Sequence, residues 1–195
     1  FRSSHTPAVC PLRWRRCRPR RRGCKRGRGR QVARERFFAE RVDGIFRSAF
    51  LNTGQVCLGT ERVYVERPLF ERFRDALKAK VEAVRYGRPE DHASTYGPLI
   101  SQEHRDKVLG YYRRAVEEGA TVVTGGGVPD MPADLQGGCW VQPTIWTGLP
   151  DDASVVREEV FGPVLCTFAF GDGDDLDALA GRGNDSDYEI GRAHV

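Results

Sequence analysis

Apolar residues recur at Val42, Ile45, Phe46, Ala49 and Phe50, a three-and-four spacing that predicts a helix over 41–50. The pattern then alternates through Arg62-Val63-Tyr64-Val65-Glu66, as a short strand does. Pro68 opens a second helix running to Val84, with Phe70, Phe73, Leu77 and Val81 on one face. An irregular stretch covers 86–98. Another helix is expected over 103–118, with Val108, Tyr111, Tyr112 and Ala115 inward and Gly119 as its stop. A β-branched strand at 120–124 runs into Gly125-Gly126-Gly127. Beyond a turn-rich segment, 140–147 reads as a strand interrupted by Pro143, 155–160 as a short polar piece, and 164–170 as a buried strand. Helices and strands alternate without an internal repeat. An α/β domain with a mainly parallel sheet and flanking helices is therefore expected.

Charge divides the chain. Of its 31 Lys and Arg residues, 12 fall in residues 1–30, which contain no Asp or Glu. The rest is acidic, so the net charge of +4 comes from the leader. The block Trp14-Arg15-Arg16-Cys17-Arg18-Pro19-Arg20-Arg21-Arg22-Gly23 buries no apolar face, and residues 1–40 are expected to be a disordered leader. Two readings of it stay open. It is a nucleic-acid-binding arm, centred on 11–30, or non-native sequence from a shifted reading frame. Pro11, Pro19 and Gly23 argue against an amphipathic transit helix. No apolar run reaches the roughly 18 residues of a membrane span, and the chain reads as cytoplasmic.

Cys10, Cys17 and Cys24 match no common zinc spacing and have no histidine between them, so no metal is expected. Cys139 and Cys166 read as buried or incidental thiols. Cys57 differs, since it ends the run Phe50-Leu51-Asn52-Thr53-Gly54-Gln55-Val56-Cys57. Gly54 and Gly59 permit a tight bend that exposes its N–H as an oxyanion donor, and a thiolate attacks carbonyls well. Composition alone favours a buried structural cysteine. A cysteine hydrolase would need His92 or His104, both distant in sequence, as its base.

Phe50-x-Asn52-x-Gly54-Gln55-x-Cys57, with Arg62 beyond it, resembles the cysteine signature of the NAD(P)-dependent aldehyde dehydrogenases. Three more blocks agree in order: Gly97-Pro98-Leu99-Ile100, Gln142-Pro143-Thr144, and Glu158-Glu159-Val160-Phe161-Gly162-Pro163-Val164. The resemblance covers about 41–188, a partial catalytic domain. Within the family, Glu61-Arg62-Val63-Tyr64-Val65 and Trp140-Val141-Gln142-Pro143-Thr144-Ile145-Trp146 look like the 2-hydroxymuconic semialdehyde dehydrogenases. Enzymes acting on 2-aminomuconic semialdehyde or betaine aldehyde share much of this background.

The resemblance implies oxidation of an aldehyde to its acid with NAD, or NADP, through a thiohemiacetal and a thioester on Cys57. It implies that Asn52, Gly54 and Gln55 support the nucleophile loop, that Glu159 grips the nicotinamide ribose, that Phe161 packs near the nicotinamide, and that the intact enzyme is a homo-oligomer. Glu158 is expected to be structural or exposed. The family's general-base glutamate would fall near Gly23-Cys24, where none stands, and the dinucleotide-binding domain would precede residue 1. The isolated chain is therefore expected to be catalytically incompetent. Residues 189–195 resemble a translated sequencing adapter, so a non-native tail is expected there.

Overall fold

The computed structural model describes residues 27–88, 90–171 and 173–188. The expectations for 1–26 and 189–195 lie outside those residues. Nine elements follow in order: α1 (Gly27–Phe50), β1 (Arg62–Glu66), α2 (Arg67–Glu82), α3 (Gln102–Glu117), β2 (Thr121–Thr124), β3 (Thr144–Thr147), α4 (Ser154–Arg157), β4 (Val164–Phe170) and α5 (Leu176–Asn184). The strands form one sheet in the order β1-β4-β3-β2. β4 pairs in parallel with β1, Arg62 opposite Cys166, and with β3, Thr144 opposite Val164. β2 pairs antiparallel to β3 at one edge. The sheet is mainly parallel, as expected.

Strand alternation sends successive side chains to opposite faces, and each face has its own helical cover. Val63, Val65, Ile145 and Leu165 pack against Val42, Ala49 and Phe50 of α1 and Phe73, Leu77 and Val81 of α2. Tyr64, Trp146, Cys166 and Phe168 pack against Val108, Tyr112 and Ala115 of α3 and Leu179 of α5. The result is three layers, helices on both sides of a sheet. Among the described residues no helix is long and apolar enough to cross a membrane.

Three sequence expectations require correction, and one element has no counterpart among them. Helix α1 reaches back to Gly27, so 27–40 is not irregular leader. Its extension is anchored at 35–40: Arg72 of α2 pairs with Glu35 and lies over the Phe38 ring, and Arg36 pairs with Glu40 one turn on. The strand expected over 140–147 begins only at Thr144. Pro143 offers no N–H to a ladder, and the Trp140 and Gln142 carbonyls accept instead from Arg105 Nε (3.2 Å) and Tyr112 Oη (2.5 Å). The short polar piece is α4 and its exit, with Val155, Val156 and Val160 buried. Its first N–H groups, on Ser154 and Val155, donate to the Glu118 carboxylate at 3.1 and 3.2 Å, which suits an anion at a helix start. Finally, α5 was not read from sequence at all. Asp175 caps it by accepting from the Asp177 N–H at 3.1 Å.

Leu77, 0% exposed on the inner face of α2, tests the layer arrangement. Leu77→Ala is expected to cost about 2–5 kcal/mol by urea unfolding. Val122→Ala, on the partly exposed edge strand, is expected to cost under about 1 kcal/mol.

Candidate active site

Helix α1 ends where three consecutive residues turn left-handed: Asn52 (φ 51°), Thr53 (φ 58°) and Gly54 (φ 72°). Asparagine and glycine tolerate that region, but a β-branched threonine rarely enters it. Thr53 is held there by burial and by its hydroxyl, which donates to the Gly97 carbonyl at 3.0 Å. Asn52 Nδ2 donates to the Gln55 carbonyl (3.1 Å), and Gln55 returns Nε2–H to the Asn52 carbonyl (3.2 Å). Gln55 Oε1 accepts from the Ile100 N–H at 3.0 Å. Asn52, Thr53 and Gln55 therefore build the loop and fasten it to 97–100.

Cys57 lies exposed on the turn that this loop presents. The turn closes through the Gly59 N–H to the Val56 carbonyl (2.7 Å), and it is tied back to α1 by the Thr60 N–H to the Ser48 carbonyl (3.1 Å). Cys166 is the opposite case, buried in the sheet, where desolvation pushes its thiol pKa up. Cys139 is half-buried. Among the described residues, only Cys57 combines exposure with a constrained loop.

The segment 158–163 reaches the same place from the other end of the chain. A Cβ added to Gly54 would overlap the Gly162 carbonyl and the Pro163 nitrogen, so the two backbones are in direct contact. A Cβ at Gly162 would meet Val108 Cγ2 of α3 at 2.8 Å. The Thr144 N–H donates to the Pro163 carbonyl at 2.8 Å. All four sequence blocks thus meet at one end of the fold, although the chain separates them widely.

Glu158 and Glu159 have different surroundings. Glu158 accepts from Tyr111 Oη (2.7 Å) and Arg114 (3.3 Å), and burial with this bond raises the Tyr111 pKa to about 12. Glu158 is structural, in agreement with expectation. Glu159 is half-buried, and its carboxylate has no hydrogen-bond partner among the described residues. Phe161 is the third left-handed non-glycine residue among the described residues, at φ 56°. No hydrogen bond joins Cys57 to His92 or His104 among the described residues. His92 is exposed, and His104 Nε2–H donates to the Phe161 carbonyl at 2.7 Å. The described residues contain no His, Cys, Asp and Glu group able to hold a metal. The Gly125–Gly127 run is a turn packed on Pro143 and Thr144.

Sequence reading passed over Glu61. It is 7% exposed, and its carboxylate accepts from the Val160 N–H at 3.1 Å and the Phe161 N–H at 3.0 Å. Burial raises its pKa to about 7, against the lowering effect of those two N–H groups; Glu159 adds to the rise and Arg62 opposes it. The available signal was weak: an acid directly before a buried strand, with no periodicity to mark it as enclosed.

Gly54→Ala is expected to cost about 2–5 kcal/mol, from left-handed strain plus overlap with the Gly162 peptide. Urea unfolding, with the alkylation rate of Cys57 as a local readout, checks it. A second outcome concerns pH. Glu61 binds its proton more tightly folded (about 7) than at its ordinary value of 4.5. Between those limits the folded state holds more protons than the unfolded state, so stability falls as pH rises through the window. The expected loss is on the order of 3 kcal/mol, and Glu61→Gln should remove this part of the slope in unfolding curves measured across the window.

Comparison with known proteins agrees with this arrangement. The aldehyde dehydrogenase family profile matches residues 37–191. The 2-hydroxymuconic semialdehyde dehydrogenase of Pseudomonas sp. (strain CF600) is 65% identical over 122 residues, 63% of this chain and 25% of that protein. The 2-aminomuconic 6-semialdehyde dehydrogenase of Pseudomonas sp. is 48% identical over 153 residues, 78% of this chain and 30% of that protein. Betaine aldehyde dehydrogenase from Staphylococcus aureus, in complex with NAD+, superposes with a TM-score of 0.69 at 36% identity, covering 74% of this chain and 28% of that one. The NAD+ complex of aldehyde dehydrogenase from Bacillus cereus gives 0.68 at 34%, over 74% and 28%. The chain thus spans between a quarter and a third of the length of these relatives. With the cysteine loop, the Glu159–Phe161 segment and the three-layer fold in place, the chain belongs to the aldehyde dehydrogenase family.

Proposed function

We propose that this chain supplies the nucleophile and the nicotinamide-ribose side of a site that oxidises an aldehyde to its acid. The observation that carries the reading is the contact of Gly54 with the Gly162 peptide. It sets an exposed cysteine beside a segment whose Glu159 carboxylate has no hydrogen-bond partner among the described residues, and whose aromatic is constrained.

Cys57 is the nucleophile. Its sulfur adds to the aldehyde carbon, the carbonyl π pair moves to oxygen, and a thiohemiacetal forms. The Cys57 N–H is a donor for that oxyanion. Addition turns a trigonal carbonyl into a tetrahedral carbon able to release hydride. After oxidation Cys57 carries the acyl group as a thioester; water adds to it and the thiolate leaves with the acid released.

The residues present fit a nicotinamide nucleotide. A carboxylate without a protein partner accepts from two neighbouring ribose hydroxyls, which suits Glu159. Phe161 offers an apolar face beside it. When bound, NAD+ supplies the hydride acceptor. Asn52, Gly54 and Gln55 hold the nucleophile loop through the bonds described above. For the aldehyde we infer a 2-hydroxymuconic-type semialdehyde, supported by the 65% identity to the Pseudomonas sp. (strain CF600) relative. The isolated chain is proposed not to turn over, consistent with its spanning 25% of that relative.

The test is a transplant. Residues 42–188 replace the matching segment of that relative, and reduction of NAD+ by 2-hydroxymuconic semialdehyde is followed. The chimera should be active. Cys57→Ser should lower kcat on the order of 10³-fold or more, and Glu159→Gln should raise KM for NAD+. Full activity of the Cys57→Ser chimera would sink the nucleophile assignment.

A further inference from the structure

Phe161 is the residue whose backbone most needs explaining. An aromatic side chain at φ 56° is strained, and such strain persists only where the surroundings over-determine it. The surroundings here come from two elements. On the amide side, Glu61 at the head of β1 takes the Phe161 N–H at 3.0 Å and the Val160 N–H at 3.1 Å, one to each carboxylate oxygen. On the carbonyl side, His104 of α3 donates Nε2–H to the Phe161 carbonyl at 2.7 Å. The imidazole also packs against the Phe161 ring, with centroids 6.1 Å apart.

Both holders are themselves fixed. The Glu61 carbonyl accepts from the Cys166 N–H at 2.8 Å, where β1 and β4 first pair. The His104 N–H donates to the capping Ser101 hydroxyl at 3.1 Å, which sets the first turn of α3. Val108, one turn on, backs Gly162. Glu61 also stands four residues after Cys57 in the chain, so it joins the nucleophile loop to the opposite segment directly.

We propose that Glu61 and His104 are positioning residues that clamp the two peptide groups of Phe161, setting Glu159 and Phe161 against the Cys57 loop. The purpose of the clamp rests on the cofactor role proposed for Glu159 and Phe161. Two convergent N–H donors call for two acceptor oxygens on one side chain, which only a carboxyl group supplies without placing a donor against a donor. The carboxylate is enclosed, however, with Glu159 as a like charge, Arg62 as an opposite one, and Cys166 and His104 as the other titratable neighbours. Ionisation therefore favours the open clamp, in which Glu61 reaches water.

Amide hydrogen exchange on the full 195-residue chain tests this without any catalytic readout. Protection factors of Val160 and Phe161, corrected for intrinsic exchange, should fall about tenfold or more from about pH 5 to about pH 7.5. The Leu165 and Thr167 amides in β4, which open with the whole fold, should fall only in step with the loss of stability seen by urea unfolding over the same window. Glu61→Gln should give lower but pH-independent protection at 160 and 161, and Glu61→Ala should lose it throughout. Should Glu61→Ala also expose the β4 amides, His104→Asn, half-exposed on α3, takes its place and should lower protection at Phe161 alone. An unchanged pH dependence in Glu61→Gln, or a Phe161 amide indifferent to both Glu61→Ala and His104→Asn, overturns the clamp. In the chimera, Glu61→Gln should raise KM for NAD+ more than it lowers kcat. If the amides respond as stated and that KM does not move, the clamp stands and the cofactor assignment behind its purpose falls.

Discussion

Two backbones touch at Gly54 and Gly162, and the geometry of the site depends on that contact. Neither position has room for a side chain: one faces a peptide group and the other faces Val108 of α3. A peptide-to-peptide approach of this kind is available only to glycine. It brings the loop of an exposed cysteine and the segment of a half-buried glutamate together across more than half the chain. The left-handed turn at Asn52 and Thr53, the Thr53 hydroxyl's bond to the Gly97 carbonyl and the Ile100 N–H bond to Gln55 serve to keep Gly54 at that point.

The site holds its strain where hydrogen bonds can offset it. A non-glycine residue in a left-handed region costs on the order of 1–3 kcal/mol, and one net hydrogen bond returns about 0.5–1.5 kcal/mol. Thr53 has burial and one bond; Phe161 has bonds on both of its peptide groups. These residues therefore stay in place because several elements agree on them. Loops held in this way are stiff, which suits the nucleophile role proposed for Cys57, since attack on a carbon needs a narrow geometry.

The three-layer core beneath explains why Cys166 and Cys57 differ so much in character. Cys166 faces Trp146, Tyr64 and Phe168 within the dry layer under α3, and its thiolate is disfavoured there. Cys57 sits past the end of α1, outside both layers. Burial of Glu61 follows the same logic in reverse. An acid enclosed at the sheet's end is costly, and two backbone donors make it tolerable without returning it to its ordinary pKa.

The sequence by itself determined the element types, because amphipathic spacing is a local property: the apolar faces of α2 and α3, the alternating β1 and the apolar β4 all stand where their patterns put them. It also carried the order of Cys57, Glu159 and Phe161 by which the family is recognised and on which their proposed roles rest. Its errors fell where a neighbour outweighed local pattern. The helical run back to Gly27 enters a basic tract whose composition argued for disorder, and Arg72 of α2 fastens it at Glu35 and Phe38. The piece around Val155 and Val156 became a buried helix because Glu118 supplied an anion to its first turn. What only the tertiary structure decided is the pairing of distant residues: Gly54 with Gly162, Thr53 with Gly97, and Glu61 and His104 with Phe161. Such pairings depend on how three layers stack. No one-dimensional period encodes that a charged residue before a strand will be enclosed and turned to hold a backbone about a hundred residues away.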